Sequence, residues 1–370
     1  MKKCRRLAVA FAVAIAVFTL GCSEKEVASE AILDEPQLLK KENLELDGHI
    51  SLREKETLLA YDIYGDEILC GIITPVEEYA MRSGAVSYTR TIFIWDKEEN
   101  KIKCSLELEP KKYLVSSAVI SERNACFSAM PVEGDFAKDK GQRWEIFTTD
   151  FLQVALVDSG KAPFYATPGI PKIVREKDDI KYMYYDLAVP NARWGIRRIG
   201  KTSVSEVEIN FGDVEPRNLV TAEQNGQMAF LAVCNDTEGI AVCVDGKFCF
   251  IENKNGNIYA WAIQNKKVIY SCGEETDELY YLVVHDITTG EEKQVQTRVP
   301  LTKLVTTETF LLAGGADWRI YQVAIKEKEI KIDECEIYPA RDVFMFIPGD
   351  DEVLINNLMD YRKMYLITEE

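Results

Sequence analysis

Histidine occurs only twice in the 370 residues, at His49 and His285. Nucleophilic catalysis by a Ser-His-Asp or Cys-His set needs an imidazole to take the proton, so one of these two would have to serve. Both sit in strand-like stretches and read as structural. Two isolated histidines cannot form a clustered metal site, and no Cys-x-x-Cys spacing occurs. No metal and no cofactor is therefore expected. There is no Gly-x-Ser-x-Gly elbow and no Gly-rich phosphate loop, and Gly314-Gly315 reads as an isolated turn. With 61 acidic residues, chance carboxylate pairs are unavoidable, so a glycosidase-type pair stays open.

One recurrence could carry recognition. Arg90-Thr91, Arg143-Trp144, Arg193-Trp194, Trp318-Arg319 and Arg362-Lys363 each stand where an apolar strand run begins. If these runs occupy equivalent places in a repeat, their entries open on one face. Guanidinium groups suit bidentate binding of carboxylate, sulfate or phosphate, and indoles offer flat faces to sugars. Two readings follow. Arg90, Arg143, Trp144, Arg193, Trp194, Trp318, Arg319 and Arg362 form a rim for an anionic glycan, a peptide carboxylate or a partner loop. Alternatively the tryptophans pack between repeats and the arginines pair with neighbouring acids.

The runs do recur. Seven strands anchored near Ile92, Ile146, Ile196, Val242, Tyr281, Ile320 and Tyr365 are followed, except the last, by a turn and a more polar strand. The clearest copy is Leu279 to Val295, whose turn closes on Gly290. Asp245-Gly246 is a hairpin dipeptide in another. Two further strands fit between successive pairs, for example Leu114 to Ile120 with Ala125 to Ala129. Four strands at a period of roughly 40 to 55 residues is the pattern of a propeller blade. The expected fold is all-β, a seven-bladed β-propeller, with six or eight blades as the alternatives. The seventh unit stops after its third strand. The alternating stretch Leu44 to Leu52 supplies the missing outer strand from the N-terminal side and closes the ring.

The N-terminus has a different character. Lys2, Lys3, Arg5 and Arg6 precede the apolar run Leu7 to Leu20, which is short for a membrane span, and Gly21-Cys22 follows. The segment resembles a bacterial lipoprotein signal, departing from it in holding Thr19 three residues before the cysteine. The resemblance implies cleavage after Gly21 and lipidation at Cys22, which would hold the protein to a membrane of the cell envelope on its periplasmic or surface face. The expected division is 1–21 signal peptide, 22–43 flexible tether with room for a short helix near Gln37 to Asn43, and 44–370 propeller. The net charge of −17 argues against a nucleic-acid partner, which requires a basic face. The eight cysteines beyond Cys4 and Cys22 lie mostly inside apolar strand runs without a framework spacing and read as mostly buried thiols.

The stretch Leu282-Val283-Val284-His285-Asp286-Ile287-Thr288-Thr289-Gly290-Glu291 resembles the blades of TolB-like and dipeptidyl-peptidase-type propellers. Quinoprotein-type propellers, including outer-membrane assembly lipoproteins, share a similar turn. The resemblance implies a fold rather than an activity. TolB-like lyases hold a metal with clustered histidines, which this chain lacks. The dipeptidyl-peptidase type carries a hydrolase domain, and none follows here. The expected function is non-enzymatic: an envelope-anchored binding or scaffolding module using one propeller face for a protein or an anionic glycan. The alternative is a carbohydrate-active propeller enzyme, a lyase or glycosidase.

Overall fold

A computed structural model describes residues 39–44, 46, 50–76, 87–121, 124–132, 141–162, 170–176, 179–186, 193–224, 227–244, 247–276, 278–326, 329–335, 344–358 and 363–369. Cys22, His49, the Asp245-Gly246 turn and Arg362 lie outside them.

Strand β1 (Leu39–Leu44) precedes the repeats. Blade 1 is β2 (Thr57–Tyr64), β3 (Glu67–Pro75), β4 (Ser87–Asp96) and β5 (Lys101–Glu107). Blade 2 is β6 (Tyr113–Ser121), β7 (Asn124–Pro131), β8 (Gln142–Thr149) and β9 (Val154–Ala162). Blade 3 is β10 (Ile173–Glu176), β11 (Asp179–Asp186), β12 (Arg193–Ile199) and β13 (Val204–Val207). Blade 4 is β14 (Val214–Gln224), β15 (Gln227–Cys234), β16 (Thr237–Val244) and β17 (Lys247–Glu252). Blade 5 is β18 (Asn257–Gln264), β19 (Lys267–Glu274), β20 (Leu279–Asp286) and β21 (Glu292–Thr297). Blade 6 is β22 (Leu301–Thr306), β23 (Leu311–Gly315), β24 (Ile320–Ile325) and β25 (Ile330–Glu334). Blade 7 is β26 (Phe344–Pro348), β27 (Glu352–Asn357) and β28 (Met364–Glu369), completed by β1. The fold is a seven-bladed β-propeller, and all seven expected third strands fall on β4, β8, β12, β16, β20, β24 and β28.

The burial patterns explain why these segments assemble this way. Second strands such as β3, Glu-Ile-Leu-Cys-Gly-Ile-Ile-Thr-Pro, are covered on both faces by neighbouring blades and are almost continuously apolar. Fourth strands such as β5 and β21 face solvent on one side and alternate with charge. The first strands touch one another in a closed cycle, β2 to β6 to β10 to β14 to β18 to β22 to β26 and back to β2, and so ring the central channel. Apolar clusters fill the seams between blades. Leu58, Ile68, Trp95, Leu354 and Leu366 join blades 1 and 7, and Ile94, Phe127 and Phe147 join blades 1 and 2. The turns follow local chemistry: Asn235-Asp236 and Asn265-Lys266 both hold the paired positive φ of two-residue hairpins. At the clearest repeat, Asp286 Oδ1 accepts from the Thr288 and Thr289 amides, and Gly290, at φ 74°, donates to the Asp286 carbonyl.

Two expectations change. The closing strand is Leu39–Leu44, not Leu44 to Leu52, with Leu39 opposite Glu369 and Leu44 opposite Met364. A strand rather than a short helix thus occupies the end of the expected tether. The physical reason is that an outer strand needs only one apolar face, so Leu-Lys-Lys-Glu-Asn-Leu looks like tether by composition. The richer segment that follows instead sends Leu46, Ile50 and Leu52 into the seam between blades 1 and 7. Gly314-Gly315 is likewise the end of strand β23 rather than a turn. None of the eight described cysteines is joined in a disulfide, and Cys70, Cys126, Cys243, Cys272 and Cys335 are buried.

Because Leu39 packs with Phe310, Val353 and Ile367 in the seam between blades 6 and 7, L39A should cost about 2–3 kcal/mol in urea denaturation. Removing residues 1–44 should expose the β28 edge and produce aggregation visible by light scattering.

Candidate functional site

In an antiparallel meander the first and third strands begin at the same end. The residues at the third-strand entries therefore share a face with the starts of the channel-lining strands; this is the entry face. Arg90 on β4 is committed inward. Its Nε and Nη2 donate to Glu56 Oε1 and Oε2 at 2.7 and 2.9 Å, and Glu56 also accepts from Thr74 Oγ1 and the Arg53 amide. The Glu56 side chain is fully buried beside the start of β2. Burial works to raise its pKa, but Arg90, the Arg53 amide and Thr74 outweigh it and hold the carboxyl below its usual range. Arg90 is a clamp between the third and first strands of its blade.

Trp144 on β8 is buried, edge-on to Tyr182 at 6.0 Å between centroids. Gly160 lies against its indole, where a Cβ would come within 2.3 Å of Cζ2. Trp194 on β12 is half-buried and edge-on to Tyr185 at 4.8 Å. Arg143 is exposed on β8 opposite Lys161, and the Arg193 backbone pairs with Asp186. The seam between blades 2 and 3 also holds a polar network. Tyr182 donates to Asp158, Arg197 bridges Asp158 and Glu206 at 2.7 and 2.9 Å, and Tyr184 donates to Glu206 at 2.8 Å beneath the Arg197 guanidinium. Each charge there is answered, so the network ties blades together.

Trp318 differs. It lies in the loop before β24, is 49% exposed and has φ of 64°, a left-handed conformation rare for a bulky side chain. The loop is stiffly held. The Trp318 amide donates to the Gly315 carbonyl at 3.1 Å, and Gly315 donates to the Arg319 carbonyl at 2.9 Å. The Asp317 carboxylate accepts from the Arg319 amide and, at 2.6 Å, from the Tyr321 hydroxyl. Arg319 pairs with Glu334 and lies 3.8 Å from Asp317. Of the expected rim, Arg90, Trp144 and Arg319 thus have internal partners, and Trp318 presents its indole outward.

A second polar constellation was not anticipated from the sequence. Toward the far end of the channel, Arg175 on β10 reaches Asp62 Oδ1 and the Ile63 carbonyl on β2, each at 3.2 Å. It also covers the Tyr64 ring at 4.1 Å. Asp62 Oδ2 accepts from the Ile120 amide of blade 2 at 2.7 Å, so three blades meet at one carboxylate. Burial pushes the Asp62 carboxyl up to about 6, with Arg175 opposing and Asp350 reinforcing the rise. Arg175 Nη1 is buried with no hydrogen-bond partner. Lys172, just before β10, keeps exposed surface, and desolvation lowers its pKa. Among the described residues no group of three or more His, Cys, Asp or Glu converges as a metal-ligand set. His285 lies opposite Glu292, with Nδ1 3.6 Å from the carboxylate, as a strand-end residue.

No family model matches the chain, and no curated protein matches it. Solved structures do resemble it. The polysaccharide lyase Uly1 is 10% identical with a TM-score of 0.53, over 84% of this chain and 89% of that one. A chain of the mitotic checkpoint complex is 10% identical with a TM-score of 0.50, over 94% and 96%. A prolyl endopeptidase is 9% identical with a TM-score of 0.51, over 85% of this chain and 50% of its own. At these identities the likeness is one of propeller fold.

Two outcomes follow. R90A leaves Glu56 buried without its counter-charge and should cost about 3–5 kcal/mol in denaturation at pH 7. Asp62 behaves oppositely to a carboxylate with a depressed pKa. Its folded-state value, about 6, lies above the ordinary 3.8, so the folded state binds the proton more readily. Stability from this group should therefore rise as pH falls from about 7 to about 4. The wild-type minus D62N stability difference should grow by on the order of 1–3 kcal/mol across that window in urea denaturation.

Proposed function

We propose that the protein is a non-enzymatic binding or scaffolding module of the bacterial cell envelope, anchored through lipid on Cys22. In this reading its entry face engages a partner protein, or a glycan, around Trp318. The observation that carries the reading is the half-exposed indole held at positive φ by the Asp317, Tyr321 and Gly315 contacts. Exposing an indole and holding its backbone in a sparsely populated region both cost free energy, and such costs persist where a binding surface uses them. Tryptophan is also the residue type most enriched among energetic anchors of interfaces.

The ligand chemistry is narrower than the rim of arginines suggested. Arg319 beside the indole already meets Glu334 and Asp317, and Arg90 is clamped to Glu56. An apolar or neutral surface stacking on the indole therefore suits this face better than a highly charged anion. A rigid propeller suits the role because it presents independent loops from one scaffold. Anchoring would restrict the partner to the envelope.

Photo-crosslinking from an entry-face position in intact cells, with glycan-array binding in parallel, tests the reading. W318A should weaken the captured interaction at least tenfold while leaving the melting temperature within about 2 °C, as expected of an exposed side chain. Unchanged capture by W318A would overturn it. C22S should abolish palmitate incorporation and release the protein from the membrane fraction.

A further inference from the structure

On the entry face, blades 5 and 6 present two large apolar side chains to solvent, Trp318 and Leu279. Leu279 opens β20 and is 40% exposed. The connector between β21 and β22 links the two loops. Tyr280 pairs with Thr297, whose hydroxyl donates to the Val299 carbonyl at 2.8 Å. A Cβ on Gly315 would stand 3.2 Å from Val299 Cγ2, and the Ala316 amide donates to the Pro300 carbonyl at 2.9 Å. Leu279, the half-buried Val299 and Pro300, and Trp318 thus belong to one stretch of the face.

The charge along this stretch is one-sided. Glu274, Glu275 and Glu278, between β19 and β20, are all exposed, and the Glu278 amide donates to the Glu275 carbonyl at 3.4 Å. Among the described residues none of these three carboxylates is in an ion pair. The connector supplies one exposed base, Arg298. Arg319 adds no free positive charge, because Glu334 and Asp317 face it. Carboxylates in excess beside exposed apolar surface repel an anionic glycan and give a neutral one nothing to pair with. They fit a chain whose lysines or arginines meet the glutamates while its apolar side chains cover Leu279 and Trp318. A cation also gains from the face of an indole.

We propose that this stretch of the entry face, from Leu279 to Trp318, takes a protein segment in which basic residues are interleaved with apolar ones. A partner so defined narrows the Trp318 reading, on which it rests, from protein or glycan to protein. The glutamates steer the segment in at long range and the apolar contacts hold it, so salt slows association more than it speeds release.

Fluorescence anisotropy on the purified full-length chain tests this with two labelled peptide probes, one built of Gly-Leu-Lys repeats and one of Gly-Leu-Glu repeats. At about 150 mM salt the Lys probe should bind at least tenfold more tightly than the Glu probe, and about 500 mM salt should weaken it. E275K/E278K and W318A should each raise the Kd of the Lys probe at least tenfold. E98K/E291K, the same change of charge on exposed turns of the far face, should shift it less than about twofold. Weakening by W318A but not by E275K/E278K would overturn the cationic partner and leave the Trp318 reading standing. Weakening by E275K/E278K but not by W318A would remove both. Equal affinity for the two probes, equal loss in E98K/E291K, or capture of a glycan alone on the array would each overturn the proposal.

Discussion

Every blade of this protein is apolar on both faces, and that constraint governs the rest. A sheet such as β2 to β5, with Ile68, Phe93 and Trp95 fully covered on one side and Leu69, Ile92 and Ile94 on the other, cannot face water on either side. Each blade must therefore lie between two others, and a row of such blades has no satisfactory end. Closing the ring removes the ends. The closing seam is also where the first and last strands meet: β1 pairs with β28 beside it, and Asn356 accepts from the Ala60 amide across it at 3.0 Å.

Polar groups complete what the apolar seams begin. Ser117 is hydrogen-bonded to the Ile173 backbone, Ser271 accepts from the Leu301 amide, and Asp62 accepts from the Ile120 amide. In each pairing a side chain from one blade satisfies backbone of the next. Asp62 and Arg175 extend this to three blades within the channel. The same logic explains Arg90 at its third-strand entry: a guanidinium can satisfy a buried carboxylate bidentately, as Arg90 does for Glu56, and thereby fasten strands together. Trp318 is presented rather than packed.

The blade count and the identity of every third strand were legible in the sequence, because the apolar runs near Ile92, Ile146, Ile196, Val242, Tyr281, Ile320 and Tyr365 repeat at a regular spacing that only a repeated sheet explains. Periodicity and turn chemistry are local, so residue order alone carries them. The need for a strand from the N-terminal side was legible too, since the seventh unit was one strand short. Which residues supplied it was not. An outer strand half in solvent, Leu-Lys-Lys-Glu-Asn-Leu, has the composition of a tether, and only the pairing with Met364–Glu369 distinguishes the two.

The candidate site divides along the same line. The sequence by itself determined that arginine and tryptophan recur at one end of the blades. It could not show that Glu56 lies under Arg90, that Gly160 leaves room for the Trp144 indole, or that Arg175 crosses to Asp62, 113 positions away. These depend on distances between residues far apart in the chain, which strand periodicity does not encode. Tertiary structure therefore decided which of the similar residues were spent on holding blades together. Trp144 and Trp318 open their strands alike in sequence, yet one is sealed in a seam and the other is half-exposed, because Trp144 lies within β8 against Tyr182 of blade 3 and Trp318 lies in the loop before β24.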